Sequence, residues 1–435
     1  IPKTLIHTHI KSEKPLKFKG MGTLEGLPGT QFKEYNFPLP NGSRIRMIWT
    51  DTPCRTTCWN GGNDTEDALR SPQIECIVAQ HPWLENDCLF ADIILPANTH
   101  LEVEDIVTNS RVGAEFADVM YCEQAVEPIG ESKSDYQVML EIAKKLGYEK
   151  QVSEGLSTED LMKKIIGYYG IDKMEGWEKF KENGYHLYQV AEDWEKDPPG
   201  FRMFYEDPEK YPLPTPTGKL EFYSQRLATE FPDDKERPPS PQWIEKSEMH
   251  NERVSGSRGK DYPLLLMSNH GRWRVHAQCD DITWTREAPT CKVTGPDGYK
   301  YEPIWINPAE AEKRGIKSGD VIKIYNERGI VLGGAYVTER LRPGVAYIDH
   351  GARIDPIIVG KVDRGGAINT IAPTGTTSKN CTGHAVQGYL VEVAGVTGAE
   401  WDEWKKTSPE AFARSYDHGA GLRFDAWVVN EGGAK

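Results

Sequence analysis

The sequence has 435 residues, with 52 Lys and Arg against 66 Asp and Glu, for a formal net charge of -14. That length allows roughly two to four domains with a large buried core. The acidic balance argues against nucleic acid as the main partner, because phosphate binding requires a concentrated basic surface that the chain lacks. No apolar run approaches the ~20 residues of a membrane helix, so no membrane span is expected. There is no basic-then-apolar leader either, but the chain starts at Ile1 and the expectation is a piece of a larger protein. The eight cysteines are scattered without a C-x-x-C pair, which suggests free thiols in a reducing, cytoplasmic compartment. Cys54 and Cys58 stand close, but with no second pair or nearby histidine they are read as thiols rather than metal ligands, and no metal site is expected.

Residues 1–44 mix Lys, Gly and Pro and suggest an extended, loop-rich lead-in. Gly20 to Gly26 has the wrong spacing for a dinucleotide loop, and His7 and His9 would share one face of a strand. Ile45 to Thr50, Ile74 to Gln80 and Ala91 to Leu95 are apolar strands, with a short helix from Asp64 to Arg70 between the first two. This order opens a parallel α/β sheet, whose ligands sit beyond the carboxyl ends of its strands, in the loops 54–63 and 80–87. Ser134 caps a helix to Leu146 with Gly147 behind it, and Ser157 opens a second helix to about Tyr168. The aromatics of 169–215, among them Trp177, Phe180, Tyr188 and Trp194, either line a planar pocket or pack on the core. Residues 231–260 are crowded with Pro, Lys, Glu and Ser and mark a linker.

After the linker, Tyr262 to Met267 is a buried strand that delivers SNHGRWRVHAQ. His270, Arg272, Arg274 and His276 concentrate donors beside Trp273, an arrangement suited to an anionic, partly aromatic ligand or to an exposed basic loop. From Glu302 to His350 the pattern is a small barrel. Ile304 to Ile306 is a strand, Asn307-Pro308 with Glu310 opens a brief helix ending at Gly315, and Val321 to Tyr325 alternates apolar with polar residues. Asn326 to Gly329 forms a hairpin into Ile330 to Thr338, and Pro343-Gly344 turns into Val345 to Ile348. Trp401, Trp404 and Phe412 mark a C-terminal helix, and the last dozen residues read as a tail.

INPAEAEKRGIKSGDVIKIYNERG, followed by RLRPGVAYIDHG, resembles the C-terminal barrel of the molybdopterin oxidoreductases of the dimethyl sulfoxide reductase type. FADIILPANTHLEVEDIVTNSRV resembles the family segment that ends in Leu-Pro-Ala and reaches Thr108 and Asn109, although Asp105 stands where the family commonly has glycine. Thr215 to Tyr223 is similar to the family's Thr-Pro-Ser/Thr-Gly-Lys strand, and GGAINTIAPTGTTSKNCTGHAVQGYLVEV to its closing segment. The resemblance implies a parallel α/β sheet domain followed by a double-psi-type six-stranded barrel, divided as an α/β molybdopterin-dinucleotide region over 1–230, the linker 231–260, the barrel 261–395 and an extension 396–435. It implies cofactor contacts from Ser268, His270, Arg272, Trp273, Arg274, His276, Gln278, Asn369, Ser378 and Lys379. Tyr121 is the candidate catalytic phenol, donating to a bound hydroxyl, or a buried tyrosine with a satisfied OH.

The family further implies molybdenum with two molybdopterin guanine dinucleotides, iron-sulfur clusters only on a partner small subunit, and an N-terminal half of the same large subunit carrying the metal ligand. HPWLENDCLFADIILPANTHLEVED and SNHGRWRVHAQCDDITWTRE resemble a branch of the family that moves a hydroxyl group between polyhydroxybenzenes. The alternatives are a molybdenum oxidoreductase acting on a sulfur or arsenic oxyanion, and a cofactor-free assembly scaffold.

Overall fold

The structure is a computed structural model describing residues 1–19, 34–52, 54–108, 117–189, 192–193, 196, 200–243, 252–280, 282–378, 380–414, 416–417 and 422–423. The chain divides into two compact units, Ile1–Ile94 with Trp243–Lys435, and Leu95–Gln242. This differs from the expected division at 230 and 260, because the first 94 residues pack with the barrel. Asn60, Asn63 and Glu66 hydrogen-bond to residues near 373, 328 and 360, contacts that no local sequence pattern announces.

The lead-in is more regular than its composition suggests. Ile6–Lys11 is a helix (α1), so His7 and His9 are buried on helical turns rather than sharing a strand face. Met47–Thr50 (β1) pairs in parallel with Cys76–His81 (β2), and Ile93–Pro96 (β3) completes a three-stranded sheet in the order β1-β2-β3. Gly62–Leu69 (α2) connects the first two strands, and its Ala68 and Leu69 bury against Ile10, Ile48 and Ile77.

In the second unit, Asp105–Thr108 (β4) and Asp118–Cys122 (β5) pair antiparallel, and Tyr185–Leu187 (β6) joins β5 on its other side. Helices Asp135–Leu146 (α3), Thr158–Tyr168 (α4) and Trp177–Asn183 (α5) accompany them. The predicted capping box is present at Ser134, closed by Gln137, and Gly147 ends α3 at φ 80°. Trp177 and Phe180 pack on Val119, Met162 and Ile166, so these aromatics are core rather than pocket lining. Thr215 to Tyr223 forms turns, not the expected strand: the Thr215 carbonyl accepts from Gly218 N–H at 3.0 Å, and Gly218 takes φ 69°.

The barrel matches its prediction closely. Its strands are Leu264–Met267 (β7), Pro303–Ile306 (β8), Val321–Asn326 (β9), Gly329–Val337 (β10), Val345–Tyr347 (β11) and, after two short strands Pro356–Ile358 (β12) and Val362–Asp363 (β13), Leu390–Gly395 (β14). The order β8-β11-β7-β14-β9-β10 returns to β8 through a parallel β8–β10 pairing, which closes six strands. Asn307 caps the intervening helix Pro308–Lys313 (α6) by accepting from Ala309 N–H. Along β9 burial alternates strictly, sending Ile322 and Ile324 inward to Leu266, Ile304 and Val391. Each such side chain contributes roughly 1.5–3 kcal/mol on burial. Helix Gly398–Thr407 (α7) seats Trp404 against Tyr301, Leu332 and Val362.

Glu66 on α2 is 1% exposed and accepts from Gly360 N–H at 3.1 Å. Burial first, and the Asp363 charge second, push its carboxyl up to about 8. The folded chain therefore keeps a proton that the unfolded chain has released between the ordinary value of 4.5 and about 8, so stability falls as pH rises through that window and is level above it. Glu66→Gln is expected to remove this component: the urea midpoint of the wild type should drop more between about pH 5 and about pH 9 than that of the variant.

Candidate functional site

Two neighbouring parallel strands aim the central residues. β7 and β11 pair in register from Val345 with Leu265 to Tyr347 with Met267, and the pairing extends beyond their ends as an isolated bridge between His270 and His350. Both histidines thus stand three residues past a strand end, on the same rim of the barrel. The loop then returns His276 to them. Its residue 276 takes φ 54°, and Gly351 at φ 85° lies directly beneath, where any Cβ would come within 1.8 Å of the His276 carbonyl oxygen. The His276 Nδ1 and His350 Nε2 are 3.2 Å apart, and the His270 ring centroid is 4.5 Å from each of the other two. Burial, followed by the neighbouring His270 and His276, lowers His350 to about 4, so His350 is neutral at pH 7, and burial lowers His276 as well.

Arg274 holds this loop down. Its Nε donates to the His350 carbonyl at 2.9 Å and its Nη1 to Glu302 at 2.7 Å and Asp280 at 3.2 Å. Lys292 adds a second cation, 2.6 Å from Glu302 and 3.1 Å from Asp280. All four charged groups are nearly inaccessible. The coulombic pull of Lys292 and Arg274 outweighs burial and holds Asp280 well below the usual carboxylate range. Arg274, expected to face a ligand, instead fixes the frame: its guanidinium is shared among two carboxylates and two backbone carbonyls.

A second loop meets the first. Cys54 to Asn60 forms a tight turn, with the Cys54 carbonyl accepting from Cys58 N–H at 2.9 Å. A hydrogen bond from Cys58 lowers Cys54 to about 7 against the opposing effect of burial, with help from the Ala277 backbone, while the Cys58 thiol is pushed up. Asn369, in the short helical turn Ile368–Ile371, donates to the Cys58 carbonyl at 2.8 Å, and Asn60 donates to the Pro373 and Gly375 carbonyls. Where these loops converge, buried polar atoms are left over. Ser268 Oγ, Arg55 Nε, Thr56 Oγ1, Asn60 Oδ1, Asn369 Oδ1 and Thr382 Oγ1 have no hydrogen-bond partner among the described residues.

On the outer side of the same rim is a groove of about 360 Å³ that includes His270, Arg272, Trp273, Trp305, Arg340 and Asp349. Trp273 is fixed by donating from Nε1 to the Thr290 carbonyl, and the exposed Arg272 guanidinium lies 5.9 Å from its ring centroid. The groove therefore offers flat aromatic walls with two guanidinium groups, chemistry that suits a planar anion.

The predicted residues distribute unevenly. Ser268, His270, Arg272, Trp273 and His276 share this rim, and Asn369 joins it through Cys58. Gln278 is exposed and closes the loop through paired backbone bonds with Val275. Ser378 shapes its own turn, accepting at Oγ from Asn380 N–H. Lys379 and Asn109 lie outside the described residues. Tyr121 belongs to the second unit, where its OH donates to Glu104 at 2.7 Å and its ring meets Trp177 and Phe180 edge-on, an arrangement of the core. Sequence reasoning missed His350 and Cys58. The signal for His350 was its position three residues past a strand, matching His270; none in the sequence joined Cys58 to histidines more than two hundred residues away.

Removing Arg274 would leave Asp280 and Glu302 buried with Lys292 and Arg286 as the remaining cations. Arg274→Ala is expected to cost about 3–5 kcal/mol in denaturant unfolding, whereas the exposed Arg272→Ala should fall within about 0.5 kcal/mol of wild type.

Two family models match the chain, the molydopterin dinucleotide binding domain over residues 264–387 and molybdopterin oxidoreductase over residues 31–145. Together they cover more than half of it. The large subunit of pyrogallol hydroxytransferase from Pelobacter acidigallici is 31% identical over 433 residues, covering 92% of this chain and 48% of that one. The dimethyl sulfoxide reductase DmsA of Escherichia coli K12 is 32% identical over 362 residues, covering 80% of this chain and 41% of that one. The chain thus spans about half the length of these curated relatives. Among solved structures, acetylene hydratase from Pelobacter acetylenicus superposes with a TM-score of 0.61 at 17% identity, over 91% of this chain and 46% of that one, a likeness of fold. With its barrel, its α/β sheet and both family models in place, the chain belongs to the molybdopterin oxidoreductase family.

Proposed function

We propose that this chain holds molybdopterin guanine dinucleotide at the rim where loops 54–63, 268–280 and 369–382 meet, within a molybdenum enzyme that transfers a hydroxyl group between polyhydroxybenzenes. The observation that carries the cofactor part is the group of orphaned polar atoms. Thr56, Asn60, Ser268, Asn369 and Thr382 are each no more than 3% exposed, yet each leaves an oxygen without a partner. A buried polar group left unsatisfied costs about 1–3 kcal/mol, so five on three joined loops favour a polar ligand that completes them. The residues present fit a pterin. Its ring edge alternates donors and acceptors, which the hydroxyls can meet in either sense and the amide oxygens as acceptors, while Arg272 and Arg340 in the groove match its phosphates.

The hydroxyl-transfer part rests on the relative from Pelobacter acidigallici, which aligns over 92% of this chain. When bound, the cofactor supplies Lewis-acid and oxygen-transfer chemistry. The chain's own residues bind and orient. Ser268 and Asn369 present fixed polar atoms, Arg274 keeps the loop from moving, and the imidazoles of His270, His276 and His350 can hold or pass a proton at a ring nitrogen. In this reading the holoenzyme carries two dinucleotides and works in the cytoplasm with an iron-sulfur small subunit. The eight free cysteines accord with a reducing compartment.

The test is elemental analysis and oxidised-pterin fluorescence of the chain purified natively with its companions. Molybdenum with two pterins per complex is expected, and pyrogallol should be converted to phloroglucinol. A folded native complex without either group would overturn the cofactor reading; a loaded complex that instead reduces a sulfur or arsenic oxyanion would overturn the substrate.

A further inference from the structure

We propose that Cys58, His276 and His350 form a binding site for a divalent late first-row transition ion of the zinc or cobalt class. The Cys58 Sγ and one ring nitrogen from each histidine lie within 4.8 Å of one another. Tetrahedral zinc takes nitrogen at about 2.0–2.1 Å and thiolate at about 2.3 Å, which sets ligand-to-ligand edges near 3.3 and 3.6 Å. The two imidazole nitrogens already stand 3.2 Å apart, so they need almost no movement, and the sulfur, within 4.8 Å of both, draws in along the other two edges. His270 stands outside this set, its ring centroid 4.5 Å from each of the other rings, so three protein ligands leave the fourth position to a solvent ligand.

The protein holds these ligands more firmly than chance contact requires. His350 is 8% exposed, its backbone N–H is bonded to the Asn269 carbonyl, and its own carbonyl is held by Arg274. His276 sits at φ 54° and Cys279 at φ 68°, a left-handed backbone uncommon outside glycine. Such conformations persist where the surrounding structure enforces them, and they gather at ligand sites. Sulfur and imidazole donors select zinc, cobalt or copper over magnesium or calcium, whose sites are built from oxygen. Binding forms three metal–ligand bonds and releases the Cys58 thiol proton to solvent, with no change in oxidation state.

This inference goes beyond the dinucleotide reading and is tested without it, on the full chain produced in a host that makes no molybdopterin. Titration with cobalt(II), followed by absorption, is expected to reach one ion per chain, with intense tetrahedral d–d bands and a near-ultraviolet thiolate-to-cobalt band that zinc displaces. Cys58→Ser should abolish the thiolate band. His276→Ala, at an exposed position that does not threaten folding, should weaken binding by more than about 100-fold, since loss of outer-shell partners alone costs ~10–100-fold. Cys122→Ser, in the other unit, should leave the titration unchanged. A stoichiometry well below one, or a thiolate band that survives Cys58→Ser, would overturn the site. Neither result bears on molybdenum and pterin content, which is read separately in the native complex.

Discussion

The rim of the barrel depends on one buried arrangement of charge. Arg274 and Lys292 face Asp280 and Glu302 with essentially no access to solvent, and Arg286 lies 3.8 Å from Asp280. Burying any of these groups alone would be prohibitive, so the cluster exists only when all its members are in place. Glu302 comes from the residue before β8, Lys292 from the segment leading to it, and Arg274 and Asp280 from the loop after β7. Closing the barrel and setting the loop are therefore one event. His276 and His350 inherit their positions from it, because Arg274 bonds the backbone on which His350 rides.

Function and stability are separated by small distances on this rim. Inside, charges are matched and hydrogen bonds are complete. On the neighbouring loops the Ser268, Asn369, Asn60 and Thr56 oxygens are left over, and the rim groove carries Arg272 in the open beside Trp273. A rigid, satisfied interior that presents an unsatisfied face is how a scaffold pre-organises a polar site.

Much of this was legible in the sequence where the signal is local. The cap at Asn307, the alternation through Ile322 and Ile324, the capping box at Ser134 and the N-cap at Ser157 each depend on residues within a few positions, and each is present. What failed was long-range. Arg274 looked like a ligand contact because its carboxylate Glu302 lies 28 residues away. The packing of the first 94 residues with the barrel was not legible because it rests on bonds such as that from Asn60 to a carbonyl at residue 373. His7 and His9 were set on a strand because the lead-in's Lys and Pro obscured a six-residue helix. The site was half visible: the loop after β7 carries its own concentration of donors, whereas Cys58 and His350 acquire meaning only from the fold.

The first unit is discontinuous, since the chain leaves it after Ile94 and returns at Trp243. On the ribosome this imposes an order of events. At about 5–20 residues per second, the intervening segment takes roughly 7–30 s to make. During that time the second unit, whose chain is unbroken, can complete its core. The loop of Cys54 to Asn60 and the helix bearing Glu66 have meanwhile no barrel to receive them, and their buried polar groups remain hydrated. The rim can thus form only after the barrel strands have been made.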